Sequence, residues 1–321
     1  MAEIVIAAGS SHGPSIQSTP EHWARLGEGD TRDPRFDFEA LKREARPGLE
    51  KELTLDVWRT RHAAARNALK TLNRELRAAR LDVVVVISNV HRVYPADHHP
   101  VFGVFRAENF PVTTRADRPF NPDDRFINED MRPKDKNVVT AQGHAPLANH
   151  LIETLIADDF DVACLDQLPD GKALDDAFTF THDWMLGDRA VPMVPFFLSR
   201  DLPNQPHPKR CHALGAALGR AIRSFPGNLR VGLIASGGLS HQFLDEDLDR
   251  QVIVALTGGR AGDLTSLDRA RLNRGPGTPE ILNWIAVASA MAPAALELID
   301  YVPAYRSLAS TGHGLTFGIW R

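Results

Sequence analysis

Three runs of small and branched apolar residues in this chain each break off into Gly, Ser or Asn and then a histidine. IVIAAGSSH ends on His12, LDVVVVISNVH on His91 and LRVGLIASGGLSH on His241. Val/Ile runs without polar alternation are the pattern of strands buried on both faces, which confines the chain to an α/β architecture with a parallel or mixed sheet between helices. In open α/β sheets, ligands bind outside the carboxyl ends of the strands. Three strand-end histidines far apart in sequence are therefore candidates to meet in one cleft, and imidazole is the commonest protein metal ligand. The pattern predicts an enzyme built around a metal site.

The intervening segments supply the helices. Leu55, Trp58, His62, Ala65, Leu69, Leu72 and Leu76 recur at steps of three and four, so a helix here lays one face on the sheet and leads into a strand over 81–87. This predicts a β/α/β unit with a right-handed crossover. A helix over 143–156, strands at DVACL and VPMVPFFL, and a helix over 211–223 with Leu214, Ala217, Leu218 and Ile222 on one face follow. Between Glu108 and Lys136 the chain is polar, contains Pro and has no sustained period, which predicts a long surface excursion. With no internal repeat and no linker composition, residues 1–321 read as one domain.

Charge and cysteine content narrow the setting. A net charge of −4 offers no basic face for nucleic acid. Cys164 and Cys211 are too few for a disulfide framework or a CxxC knuckle, so a reduced, cytoplasmic protein is expected. The opening MAEIVIAAG lacks a basic leader, and no apolar run approaches about 18 residues. Neither secretion nor a membrane span is expected.

The chemistry-bearing residues each have two readings. Ser10 and Ser11 before His12, and Gly13-Pro14 after it, let the backbone leave its strand sharply; a loop histidine with a local hydrogen bond is the alternative. His91 follows Ser88-Asn89-Val90 in an equivalent place, with His98 and His99 as competitors for the same role. Glu280 lies in GTPEILNW, where Thr278 reads as an N-cap and Pro279 as the first helical residue. A carboxylate beside imidazoles balances cation charge; a first-turn glutamate also simply complements a helix dipole. Ser236-Gly237-Gly238-Leu239-Ser240-His241 is either a common turn or a mount for an acid or base, since imidazole exchanges its proton near neutral pH.

Together SSHGP, SNVH, the PKRCHALGAALGRAI stretch, SGGLSHQ and GTPEILNW resemble, in order, the class III extradiol ring-cleavage dioxygenases, the family of the protocatechuate 4,5-dioxygenase catalytic subunit. The resemblance implies a three-layer α/β/α fold with a mixed central sheet. It implies Fe(II) held by His12, His91 and Glu280, with His241 as acid or base and not a ligand. His182 in TFTHDW stands near the family's Asp-His-Gly segment and would face the substrate, although here His182 precedes Asp183 and the glycine is absent; a buried structural histidine is the alternative. Val90 stands where an aspartate commonly precedes the second metal histidine. The YVPAYRSLASTGHG segment would contact the substrate through Tyr305 and Arg306, with surface roles as the alternative. The implied reaction uses O₂ to open the ring of a protocatechuate-, gallate- or 3-O-methylgallate-type acid. A homodimer that closes its own site is expected, with a small α subunit left open. The rival readings are a non-catalytic metal-binding relative and a zinc hydrolase, since His, His and Glu also hold Zn²⁺.

Overall fold

The computed structural model describes residues 1–34, 36–89, 93–94, 99–114, 137–187 and 190–321. Its strands in chain order are β1 (Glu3–Ser10), β2 (Val83–Ser88), β3 (Phe102–Phe105), β4 (Asn109–Thr114), β5 (Asn137–Gln142), β6 (Val162–Leu165), β7 (Met193–Leu198), β8 (Arg230–Ser236), β9 (His241–Phe243), β10 (Glu297–Tyr305) and β11 (Thr311–Trp320). Nine form one sheet in the order β10-β11-β1-β8-β2-β7-β3-β6, with β9 paired to β11. The pairs β1/β8, β8/β2, β2/β7 and β3/β6 are parallel, while β7/β3, β1/β11, β11/β10 and β11/β9 are antiparallel. The sheet is mixed, as the resemblance implied.

Helices cover both faces because the central strands are apolar on both. Val83, Val85 and Ile87 of β2 pack with Leu214 and Leu218 of the helix Pro208–Ser224 and with the helix Ile281–Met291, all of whose residues are buried. Val84 and Val86 face Leu69, Leu72 and Leu76 of the helix Leu55–Ala78. That helix lies where the three- and four-residue steps place it, and the Thr54 hydroxyl accepts from the Val57 N–H at its start. Leu55, counted on the packed face, is instead exposed at the first turn.

Two details differ from the sequence reading. β1 and β2 are not neighbours: β8 lies between them, parallel to both, so the expected β/α/β unit spans a strand. The excursion from Glu108 opens as β4, whose antiparallel pairing with β5 makes a separate two-stranded ribbon; residues 115–136 lie outside the described residues.

The parallel set β1, β8, β2 and β7 brings its carboxyl ends to one rim. Ser10 lies opposite Ser236 in the β1/β8 register. Just past β2, Asn89 donates to the Leu198 carbonyl (2.7 Å) and accepts from Asn283 Nδ2 (3.0 Å), which also donates to the Ser236 carbonyl (2.8 Å). These bonds fasten three strand ends to the helix Ile281–Met291. Because Leu72 is fully buried between helix and sheet, Leu72→Ala is expected to cost about 2–5 kcal/mol of stability, measured by urea unfolding.

Candidate active site

Glu280 is the centre of the rim. It closes a 3₁₀ turn, Thr278–Glu280, that runs into the helix Ile281–Met291. Thr278 does not cap that turn; Gly277 occupies the cap position without a side-chain bond. The Thr278 hydroxyl instead accepts from the His241 N–H (3.1 Å) and donates to the His241 carbonyl (2.9 Å), stitching the turn to β9. Glu280 Oε2 accepts from the Gly238 N–H at 3.0 Å. Gly237 has φ +132°, and a Cβ there would stand 2.5 Å from the same oxygen, so the approach of the carboxylate demands glycine at 237; a Cβ on Gly238 would instead stand 2.8 Å from Ser11 Oγ.

Three side chains from three other segments meet this carboxylate, which is only 1% exposed. His12 Nε2 lies 3.7 Å from Oε1, Arg200 Nη1 3.6 Å from Oε1, and His241 Nε2 3.4 Å from Oε2. Hydrogen bonds on the far ring nitrogens fix what each imidazole presents. Ser236 Oγ donates to the Ala177 carbonyl, so it accepts from His12 Nδ1 at 3.0 Å and leaves Nε2 as the lone-pair nitrogen toward Glu280. His241 Nδ1 donates to the Leu239 carbonyl at 3.0 Å, which makes Nε2 its proton-exchanging nitrogen. A Cβ on Gly277 would overlap the His241 ring at 1.8 Å from Nε2, so that wall of the imidazole is backbone.

The donor chemistry suits a cation: an imidazole lone pair and a buried carboxylate oxygen face each other, and a hydrogen bond to the other ring nitrogen is the usual device for orienting a metal-binding histidine. Among the described residues no three His, Cys, Asp or Glu side chains form a complete metal-holding group. His91, the expected third ligand, and its competitor His98 lie outside the described residues. His99 is spent elsewhere: its Nε2 donates to the Tyr94 carbonyl at 2.7 Å and its Nδ1 faces Asp201 at 3.7 Å.

The remaining expected residues are placed as follows. His182 lies in a π-helical turn, Thr181–Leu186, and desolvation pushes its pKa below the ordinary value against a hydrogen bond with the Val191 backbone. Among the described residues nothing hydrogen-bonds its buried Nε2. Nearby, Phe180 stacks on Trp184 and lies 6.3 Å from the His12 ring. Tyr305 is buried, with its hydroxyl donating to Glu246 Oε1 at 2.6 Å and its ring beneath Arg46. The Arg306 guanidinium is buried too, and its fork is filled by Asp30 through Nε (2.5 Å) and Nη2 (2.8 Å). A substrate carboxylate would have to compete with Asp30 for that fork.

Arg200, His313, Asp30 and Asp249 were not among the expected site residues. Arg200 follows the end of β7 by two residues, the same offset that separates His12 from the end of β1; applying the strand-end rule to residues other than histidine would have found it. His313 sits between small residues in STGHG, and its ring centroid is 5.2 Å from that of His241. Asp30 and Asp249 carry no motif. Asp249 anchors the turn before His241 by accepting from the Ser240 N–H, the Ser240 hydroxyl and the Tyr301 hydroxyl, each at 2.7 Å.

Burial pushes the Asp249 carboxyl up to about 6, against those hydrogen bonds. Between roughly pH 4 and 6 the folded protein then holds a proton that the unfolded chain lacks, so this group makes stability fall as pH rises through that window and level off above it. Asp249→Asn removes the titration. The unfolding free energy of the variant minus that of the unsubstituted protein is expected to rise by about 2–3 kcal/mol between pH 4 and 7, read from urea melts at both pH values.

Over residues 56–316 the chain matches the family of the catalytic LigB subunit of aromatic ring-opening dioxygenase. It is also 32% identical over 155 residues to a gallate dioxygenase of Pseudomonas putida. That similarity spans 44% of this chain and 44% of the relative, so the chain matches less than half the length of that enzyme.

Proposed function

The chain belongs to the family of catalytic LigB subunits of aromatic ring-opening dioxygenases, and from that premise we propose that it is an Fe(II)-dependent extradiol enzyme. Its substrate on this reading is a catecholic or gallate-like aromatic acid, with the gallate type favoured by the similarity to gallate dioxygenase. The observation that carries the reading is the approach of His12 Nε2 and His241 Nε2 to opposite oxygens of one buried carboxylate, Glu280, at adjoining strand ends.

His12 and Glu280 would hold the ion, with His91 as the third ligand. When bound there, Fe(II) would supply the redox chemistry that lets O₂ react with the aromatic ring. The chain does the rest. Ser236 holds the His12 ring in the ligand tautomer. His241 stays outside the ligand set, takes the proton of a ring hydroxyl at Nε2 and returns it later in the reaction. Arg200 and the Gly238 N–H offset the buried negative charge of Glu280, and the burial of His12 and Glu280 keeps bulk water from the metal face. Residues 1–321 act as one catalytic domain on this reading, in the cytoplasm and as a homodimer.

The test is anaerobic loading with Fe(II) followed by oxygen-electrode assays on protocatechuate, gallate and 3-O-methylgallate. Stoichiometric O₂ uptake with loss of the aromatic absorbance is expected, and Glu280→Ala should lose bound iron by elemental analysis. No uptake with any of the three, or activity supported by Zn²⁺ and not by Fe(II), overturns the reading. His241→Phe should retain iron yet turn over at least about 10²-fold more slowly; near-normal turnover in that variant would remove His241 from its assigned role.

A further inference from the structure

Among the described residues, His313 is the one imidazole close to His241 that neither the metal set nor the proton transfer uses. Its position follows from strand pairing. In the antiparallel β9/β11 register His313 lies directly opposite His241, and directly opposed residues of an antiparallel pair project from the same face. Their ring centroids are 5.2 Å apart with planes 35° from parallel. On its other side the His313 ring lies against Gly13, next to His12: a Cβ on Gly13 would stand 2.7 Å from His313 Cδ2 and Nε2. The ring therefore sits between the loop that carries His12 and the strand that carries His241.

What this imidazole offers is set by its far nitrogen. Nδ1 receives Ser15 Oγ at 2.7 Å and Arg306 Nη1 at 3.4 Å. A guanidinium can only donate, so Nδ1 is the acceptor and the ring hydrogen is on Nε2. Arg306 is locked in that position by its two bonds to Asp30. Burial first, then the Arg306 charge, push the His313 pKa well below its ordinary value, which keeps the ring neutral. Among the described residues no group hydrogen-bonds Nε2.

We propose that His313 is a ligand-binding residue whose Nε2–H donates a hydrogen bond to an anionic oxygen of the bound aromatic substrate. This rests on the extradiol reading above. The two cross-strand imidazoles then act as opposites: His241, with Nδ1 bonded to Leu239, presents a lone pair that takes a proton, and His313, with Nδ1 capped by Arg306 and Ser15, presents a hydrogen. Arg306 is a positioning residue in this scheme, acting on the substrate only through His313.

Two measurements test it. In ¹⁵N-imidazole NMR of the unsubstituted protein, with the His313 signal identified by its loss in His313→Gln, an Nε2–H tautomer is expected; an Nδ1–H tautomer overturns the proposal and does so whatever the substrate. Anaerobic titration of the Fe(II)-loaded enzyme with 4-nitrocatechol, followed by its absorption, should give a Kd about tenfold to a hundredfold weaker in His313→Leu. His313→Gln, which keeps an N–H donor, should recover most of the loss. Unchanged binding in the Leu variant, or Gln binding as weakly as Leu with both variants melting near the unsubstituted Tm, overturns the proposal. Failure of the unsubstituted enzyme to bind 4-nitrocatechol would count against the extradiol reading and leave the tautomer result to decide the donor.

Discussion

The organisation of the rim follows from one costly act, the burial of the Glu280 carboxylate. An isolated ionised carboxylate in a protein interior is strongly disfavoured, so it must be met by donors, cations or a metal. Here the donor and the cation come from separate segments, the Gly238 N–H from the turn after β8 and Arg200 from beyond β7, while the lone-pair nitrogens of His12 from beyond β1 and His241 from β9 face the same carboxylate across the space a cation would fill. The electrostatic requirement is met only if those strands keep their order and register. The site and the sheet are in this sense one structure, and the Asn89–Asn283–Ser236 bonds that tie strand ends to the helix behind Glu280 serve both.

Backbone and small side chains do the fine placement. Gly237 admits the Glu280 carboxylate, Gly277 admits the His241 ring, and the Thr278 hydroxyl holds both polar groups of the His241 backbone. A second chain of contacts approaches from the opposite flank: Asp30, Arg306 and His313, whose first two members lie 276 residues apart. The cleft is thus framed by parallel strand ends on one side and by the antiparallel β9/β11 pair on the other.

Much of this could be read from the sequence, for a physical reason. Strands buried on both faces must be apolar throughout, so β1, β2, β7 and β8 announce themselves, and the Leu69, Leu72 and Leu76 repeat announces the helix beneath them. The mixed pairing was not in the pattern: an apolar run looks the same whichever way its neighbour points, and β8 inserted between β1 and β2 leaves no local mark. Thr278 illustrates the limit of local rules. Ser or Thr before Pro and an apolar run reads as an N-cap, but its hydroxyl found the His241 backbone, 37 residues away. Arg306 was legible as a site-region residue and not as the partner of Asp30, because nothing in EGDTRD signals a buried acid.

The histidines show why residue type alone could not divide the labour. His12, His241 and His313 are chemically identical, all lie at or beside the rim, and all are mostly buried. What separates them is the group on each far nitrogen. A serine oxygen that must accept makes His12 a lone pair toward Glu280; a backbone carbonyl fixes the Nδ1 hydrogen of His241 and leaves Nε2 to exchange its proton; a guanidinium that must donate leaves His313 with a hydrogen at Nε2. Each of these partners is distant in sequence or belongs to the backbone, so the assignment arises only on folding. Exchanging any one partner for a group of opposite hydrogen-bonding sense would turn one imidazole into another's chemistry without altering the histidine itself.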